Sequence, residues 1–190
     1  MAYPPVVIVD ADDKVIGWSP LTGAWEKQLI HRVVYVIVED NHGRVLLHRR
    51  SANMHLFPGR WDVVGGHVDV TPDYEESAMI ELREEGGIED EPLEEAAYFY
   101  AETPYDKVEH PKRFIKIFRL RYDGKLGEAD DHEVAAIRWF AKSELKQLQK
   151  NHPEQVAAGL DVCLPYILEG YEDNEHQAAG QTHRPVLNLR

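Results

Sequence analysis

Cysteine, positive charge and long apolar runs are all scarce in this chain, and each scarcity removes a class of function. Cys163 is the single cysteine among 190 residues, which excludes an intrachain disulfide and any cysteine-rich zinc site. The longest apolar stretch, Val33 to Val38, is far too short to cross a bilayer. The N-terminal segment lacks the basic stretch, apolar run and small-residue cleavage site of a secretory signal. Together these shortages point to the cytoplasm. Lys and Arg number 21 against 34 Asp and Glu, a formal net charge of -13. Such a surface repels phosphate backbones and argues against bulk nucleic-acid binding. It does not exclude small phosphate compounds, because divalent metals can neutralise a local site. An acidic surplus that only maintains solubility fits the same numbers. The ten histidines are scattered and form no helical pair of the zinc-binding kind.

What is present is an ordinary globular composition, 43% hydrophobic and 29% charged, at a length suited to one domain with a real core. The pattern predicts a single domain over 1–170, followed by a polar, loosely held tail over 171–190. Val6 to Val9 and Val15 to Trp18 read as an N-terminal β-hairpin, and the stretch with Pro20 and Gly23 reads as irregular. Further strands are expected at Arg32 to Val38, Arg44 to His48, Trp61 to Val64, Ala96 to Ala101, Phe114 to Tyr122 and Val134 to Phe140, with His67 to Val70 also extended. A helix should begin with Thr71 as N-cap and Pro72 at its first position, and stop at Gly86-Gly87. Two later helices are expected at Lys142 to Lys150 and Glu154 to Leu168. Strands before, between and after helices give a mixed sheet flanked by helices.

The chemistry concentrates in the helix after Thr71. Glu81, Glu84 and Glu85 are spaced i, i+3 and i+4, so all three project from one helical face. Ala78, Met79 and Leu82 gather on an adjacent face that would pack against the sheet. Like charges at this spacing repel by roughly a few tenths of a kcal/mol per pair. A hard divalent cation such as Mg²⁺, which prefers carboxylate and water oxygens, offsets that repulsion. Bound between the carboxylates and a diphosphate, it would orient the phosphorus and acidify a water, while a free carboxylate took the proton. A solvated helix with alternating charges around Arg83 accounts for the same run without any chemistry.

In its setting the run resembles the Nudix box: Gly66, then Glu81, Leu82, Glu84, Glu85, Gly87 and Ile88 in register. Val45 to Ser51, Pro58 to Asp62, Glu133-Val134, Arg138 to Phe140 and Glu144-Leu145 also look like the family, so the likeness spans roughly Val6 to Leu168. The box is degenerate, with Pro72 where the family has its upstream Glu and Ile80 where it has Arg. The resemblance implies an α+β fold, a mixed sheet sandwiched between helices (α/β/α) with the N-terminal hairpin added. It implies hydrolysis of a phosphate anhydride, in a nucleoside diphosphate derivative or related pyrophosphate, with Mg²⁺ or Mn²⁺. By matching position, Glu81, Glu84, Glu85 and the Gly66 carbonyl would hold metal. Glu133 stands where family members supply a further acid, as metal ligand or general base; Glu85 is the other candidate base. The missing Glu and Arg point to weaker ordering of the metal ligands, with Asp73 and Arg83 as stand-ins, or to a non-catalytic nucleotide-binding module.

Arg49, Arg50 and Arg60 fall near strand ends that should border the site, and arginine forks onto phosphate oxygens. Alternation along a strand turns one of the adjacent pair away. Tyr98, Phe99, Tyr100 and Tyr105 offer rings for stacking on a base, or for the core. The N-terminal hairpin and His31-Arg32 look like the branch related to isopentenyl diphosphate isomerase, which brings a rival reaction. That chemistry relies on a Cys just before the Gly-His pair, where this chain has Gly65. His67 would be an extra metal ligand in that branch. The hairpin edge suits pairing across a homodimer, and the loops Ser51 to Arg60 and Glu102 to Lys112 would set specificity.

Overall fold

The computed structural model describes residues 4–89, 91–106 and 108–169, so the tail expected over 171–190 lies outside the described residues. The chain runs β1 (Val6–Val9), β2 (Val15–Ser19), α1 (Leu21–Glu26), β3 (Ile30–Glu39), β4 (Val45–Arg50), β5 (Trp61–Asp62), β6 (Val64–His67), α2 (Tyr74–Gly86), β7 (Glu94–Ala101), β8 (Lys112–Arg121), β9 (Val134–Phe140), α3 (Lys142–Asn151) and α4 (Ala158–Ile167).

The β-branched run after Arg32 becomes β3, at the centre of one mixed sheet. It pairs in parallel with β8 from Ile30↔Lys112 to Glu39↔Arg121, and antiparallel with β6 from Val33↔His67 to Val36↔Val64. Period-two alternation then decides the layers. Val33, Tyr35 and Ile37 face a core completed by Leu145, Leu160, Cys163 and Ile167 from α3 and α4. Val34, Val36 and Val38 face the opposite core, with Ala78 and Leu82 of α2. A strand buried on both faces has to be apolar throughout, which is why this segment shows no polar alternation. The expected α/β/α sandwich is therefore present, with β1 and β2 as an antiparallel hairpin at one edge of the sheet.

Three local expectations need correction. The segment with Pro20 and Gly23 is a helix, α1; Gly23 depresses its propensity, but burial of Leu21 and Ala24 against Val6 and Ile8 holds it. The cap of α2 is Asp73: its Oδ1 accepts the Glu75 and Glu76 N–H groups, both at 2.9 Å, while the Thr71 hydroxyl donates to Glu76 Oε2. Pro72 therefore lies outside the helix. Finally, Pro153–Gln155 forms a 3-10 turn, and α4 starts only at Ala158, because Ala157 N–H first donates to the carbonyl of Trp61 in β5.

Candidate active site

The last turn of α2 fixes the site. Gly87 closes the helix in the left-handed conformation, with its N–H returning to the Leu82 carbonyl. Two carbonyls at this end gain partners from the loop that precedes β9: Gly127 N–H donates to Gly87 and Asp130 N–H to Glu84, both at 2.7 Å. Ser51 N–H then donates to the Glu133 carbonyl at 2.7 Å. These bonds seat Glu133 beside the helical carboxylates.

The result is a cleft of about 240 Å³ whose walls include Gly66, Asp69, Glu81, Glu84, Glu85 and Glu133, with Arg50 as the guanidinium among them. The three helical acids are not equivalent. Glu85 is buried; its Oε2 accepts the Gly65 N–H at 2.8 Å, and its Oε1 lies 3.4 Å from His48 Nε2. Burial pushes Glu85 up to about 8, against the pull of Arg50 and the Gly65 N–H. His48 is no cationic partner for it, because burial and then Arg50 lower that imidazole to about 3. Glu81 is half-buried and its proton affinity rises well above the usual carboxylate range, through burial first and then Glu85, Asp69 and Glu133. Glu84 is exposed at the mouth and Glu133 half-buried; both are raised, burial being the largest cause.

This donor set fits a hard divalent cation. Five carboxylates face one guanidinium, their oxygens are the ligand type such ions prefer, and the backbone comes close. A Cβ on Gly66 would sit 2.5 Å from Glu81 Oε1, so the acid can lie against the strand only because position 66 has no side chain. Among the described residues, the one trio of His, Asp or Glu with ligand atoms all within 4.8 Å is elsewhere: Asp130, Asp131 and His132, all exposed. The helical carboxylates are spread wider and would converge on an ion.

The three arginines separate. Arg50 lines the cleft, its Nε donating to the Leu56 carbonyl at 3.0 Å and its Nη1 3.9 Å from Asp62. Arg49 is exposed and donates to the Gly59 carbonyl, so the adjacent pair divides between the two faces as alternation requires. Arg60 lines a different cavity, with its guanidinium 5.1 Å from the Phe57 ring. Of the four aromatics, Tyr105 approaches the site, its hydroxyl 3.4 Å from His67 Nε2. Phe99 packs on Tyr166 and belongs to the core, while Tyr98 and Tyr100 are partly exposed on β7. Sequence reasoning missed Asp69 and His48; an acid two residues beyond the Gly-His pair was the one available signal.

The family model for the NUDIX domain matches residues 29–159. An uncharacterized Nudix hydrolase of Streptomyces coelicolor is 39% identical over 73% of this chain and 75% of its own length. Isopentenyl-diphosphate Delta-isomerase 2 of Aromatoleum aromaticum is 28% identical over 97% of both chains. A crystal structure from Deinococcus radiodurans, at 24% identity, superposes with a TM-score of 0.65 over 88% of this chain and 99% of that one. With the box on α2, the loop docked behind it and this match to most of the chain, the protein belongs to the Nudix family.

Proposed function

We propose that this chain is a divalent-metal-dependent pyrophosphohydrolase that cleaves a phosphate anhydride in a nucleoside diphosphate derivative or related pyrophosphate, acting in the cytoplasm. One observation carries the reading: five carboxylates with raised proton affinities gather around a single cleft arginine, an arrangement that calls for added positive charge. Glu81, Glu84 and Glu85, with the Gly66 backbone, would hold Mg²⁺ or Mn²⁺. When bound, the ion supplies charge neutralisation at the diphosphate and a water of lowered pKa.

The chain's own groups divide the remaining work. Glu85 is held in place by the Gly65 N–H on Oε2, with Oε1 3.4 Å from His48 Nε2, which suits a fixed ligand. Glu133 has the freedom Glu85 lacks, being half-buried on a loop, and its raised proton affinity suits a general base at neutral pH. Arg50 faces the cleft where phosphate oxygens would lie. The catalytic unit is residues 1–170.

The isomerase rival is disfavoured by Gly65. Its φ is +139°, and a Cβ there would lie 2.2 Å from the Val34 carbonyl oxygen, so no side chain fits where that chemistry needs a thiol. Cys163 sits in the core on the other face of the sheet, its thiol pushed well above the usual range by burial. The test is release of phosphate or nucleotide from a panel of pyrophosphates with Mg²⁺ and with Mn²⁺. Glu85→Gln and Glu133→Gln should each lower kcat by about 100-fold or more. Parent-like rates in both variants, or an isomerised product without phosphate release, would sink the proposal.

A further inference from the structure

Beside the carboxylate cleft lies a second, smaller cavity of about 70 Å³, and its chemistry is of the opposite sign. The two share Leu21, Arg50, Gly65, Gly66 and His67; on the far side the small cavity shares Phe57, Tyr105, Arg113 and Ala158 with an outer pocket of about 280 Å³. Arg113, on β8 directly opposite His31 of β3, is only 2% exposed. Its guanidinium lies 4.3 Å from the centre of the Tyr105 ring, and Nη2 donates to the Thr103 carbonyl at 2.8 Å. Its Nε has no hydrogen-bond partner, and among the described residues no carboxylate comes within 4.0 Å of it. His31, 1% exposed, likewise leaves Nε2 without a partner, and its ring stacks on that of His67 at 5.3 Å.

The one acid on the cavity wall is already committed. Asp62 Oδ1 accepts the Val63 and Leu160 N–H groups at 3.0 and 2.6 Å, and Oδ2 lies 3.9 Å from Arg50. A buried guanidinium with a free N–H and no counter-ion is expensive to maintain unless an anion from outside completes it. The same charge repels a divalent cation, so the His31–His67 pair is not a second metal site. Phe57, Leu56 and Val33 leave room for one compact group and none for a base or sugar.

We propose that Arg113, with His67 beside it on the cavity wall, forms an oxyanion subsite that receives a phosphate or carboxylate terminus remote from the cleaved anhydride. Assigning that terminus to the substrate rests on the pyrophosphohydrolase reading; the anion site itself does not. The substrate then spans His67, its anhydride over the carboxylates and its anionic end on Arg113.

The test is a thermal-shift titration of the whole chain in EDTA at constant ionic strength, with inorganic phosphate in one arm and acetate in the other. EDTA removes any cation-mediated binding at the carboxylate helix. One of the two anions should raise the parent's melting temperature saturably, and which one does so names the terminus. Arg113→Gln should weaken its apparent affinity by at least about tenfold, and Arg113→Lys by less. No stabilisation by either anion, or an Arg113→Gln response equal to the parent's, overturns the proposal. Should Arg113→Gln fail to fold, parent crystals soaked in phosphate and in acetate with EDTA decide: an anion within hydrogen-bond reach of Arg113 Nε supports the site, and an empty cavity in both overturns it. Anion binding without any pyrophosphohydrolase activity would overturn the proposed function and leave the subsite standing.

Discussion

At the scale of single residues, the site stores its chemistry as unfavourable protonation equilibria. Glu85 lies near 4.5 in an unfolded chain and near 8 in the fold, because burial disfavours its charge. The folded carboxyl therefore binds its proton more tightly than the unfolded one, and stability falls as pH rises between the two values. Glu81 shifts in the same direction. The buried His31, His48 and His67, all lowered by burial, act oppositely, but only until the unfolded imidazoles lose their protons near 6.5. From about pH 7 to about pH 8.5 the carboxylates thus dominate. In EDTA the melting temperature should fall across that window, and Mg²⁺ or Mn²⁺ should restore it most at the alkaline end, where fewer protons compete for the ligands. Glu85→Gln should flatten the metal-free slope. A metal-free melting temperature that stays level or rises through the window would contradict the assignment.

At the scale of elements, α2 shows how far a local pattern reaches. The i, i+3, i+4 spacing places Glu81, Glu84 and Glu85 on the site side, and Gly87 ends the helix where the Gly-Gly pair suggested. Which residue caps the start was less legible, since Thr71, Pro72 and Asp73 all carry start signals. Asp73 takes the role because its carboxylate spans two N–H groups at once. Asp73→Ala should therefore cost about 1 kcal/mol, a drop of roughly 2–4 °C in melting temperature, and Thr71→Ala distinctly less. Equal losses in the two variants, measured by calorimetry, would return the cap to Thr71. The partition of Glu84 outward and Glu85 inward was not legible either. It depends on where α2 meets β6, and on a Gly65 N–H presented by a strand that sequence periodicity does not register. Arg113 was hidden for a related reason: in a strand that also carries Lys112, Lys116, Arg119 and Arg121 it reads as one more exposed position, and only the parallel β3–β8 register sets it against His31.

At the scale of the whole molecule, the sandwich buries both faces of its centre and leaves β2 as one of its edge strands. Among the described residues β2 pairs with β1 alone, so its outer edge presents unpaired backbone groups. The same strand exposes Ile16 and Trp18 at 64% and 48%, side by side on one face by alternation. Soluble proteins rarely leave a strand edge both open and apolar, since it invites uncontrolled pairing with other chains. We propose that a second copy covers it, β2 against β2 about a twofold axis, which satisfies this edge in both copies at once. Size-exclusion chromatography with light scattering should then give twice the chain mass at micromolar concentration. Ile16→Lys combined with Trp18→Glu should give a monomer that keeps its fold by circular dichroism, because neither side chain belongs to the buried clusters on either face. A parent that runs as a monomer at every concentration would remove the dimer from the account, and the apolar edge would then need a different partner.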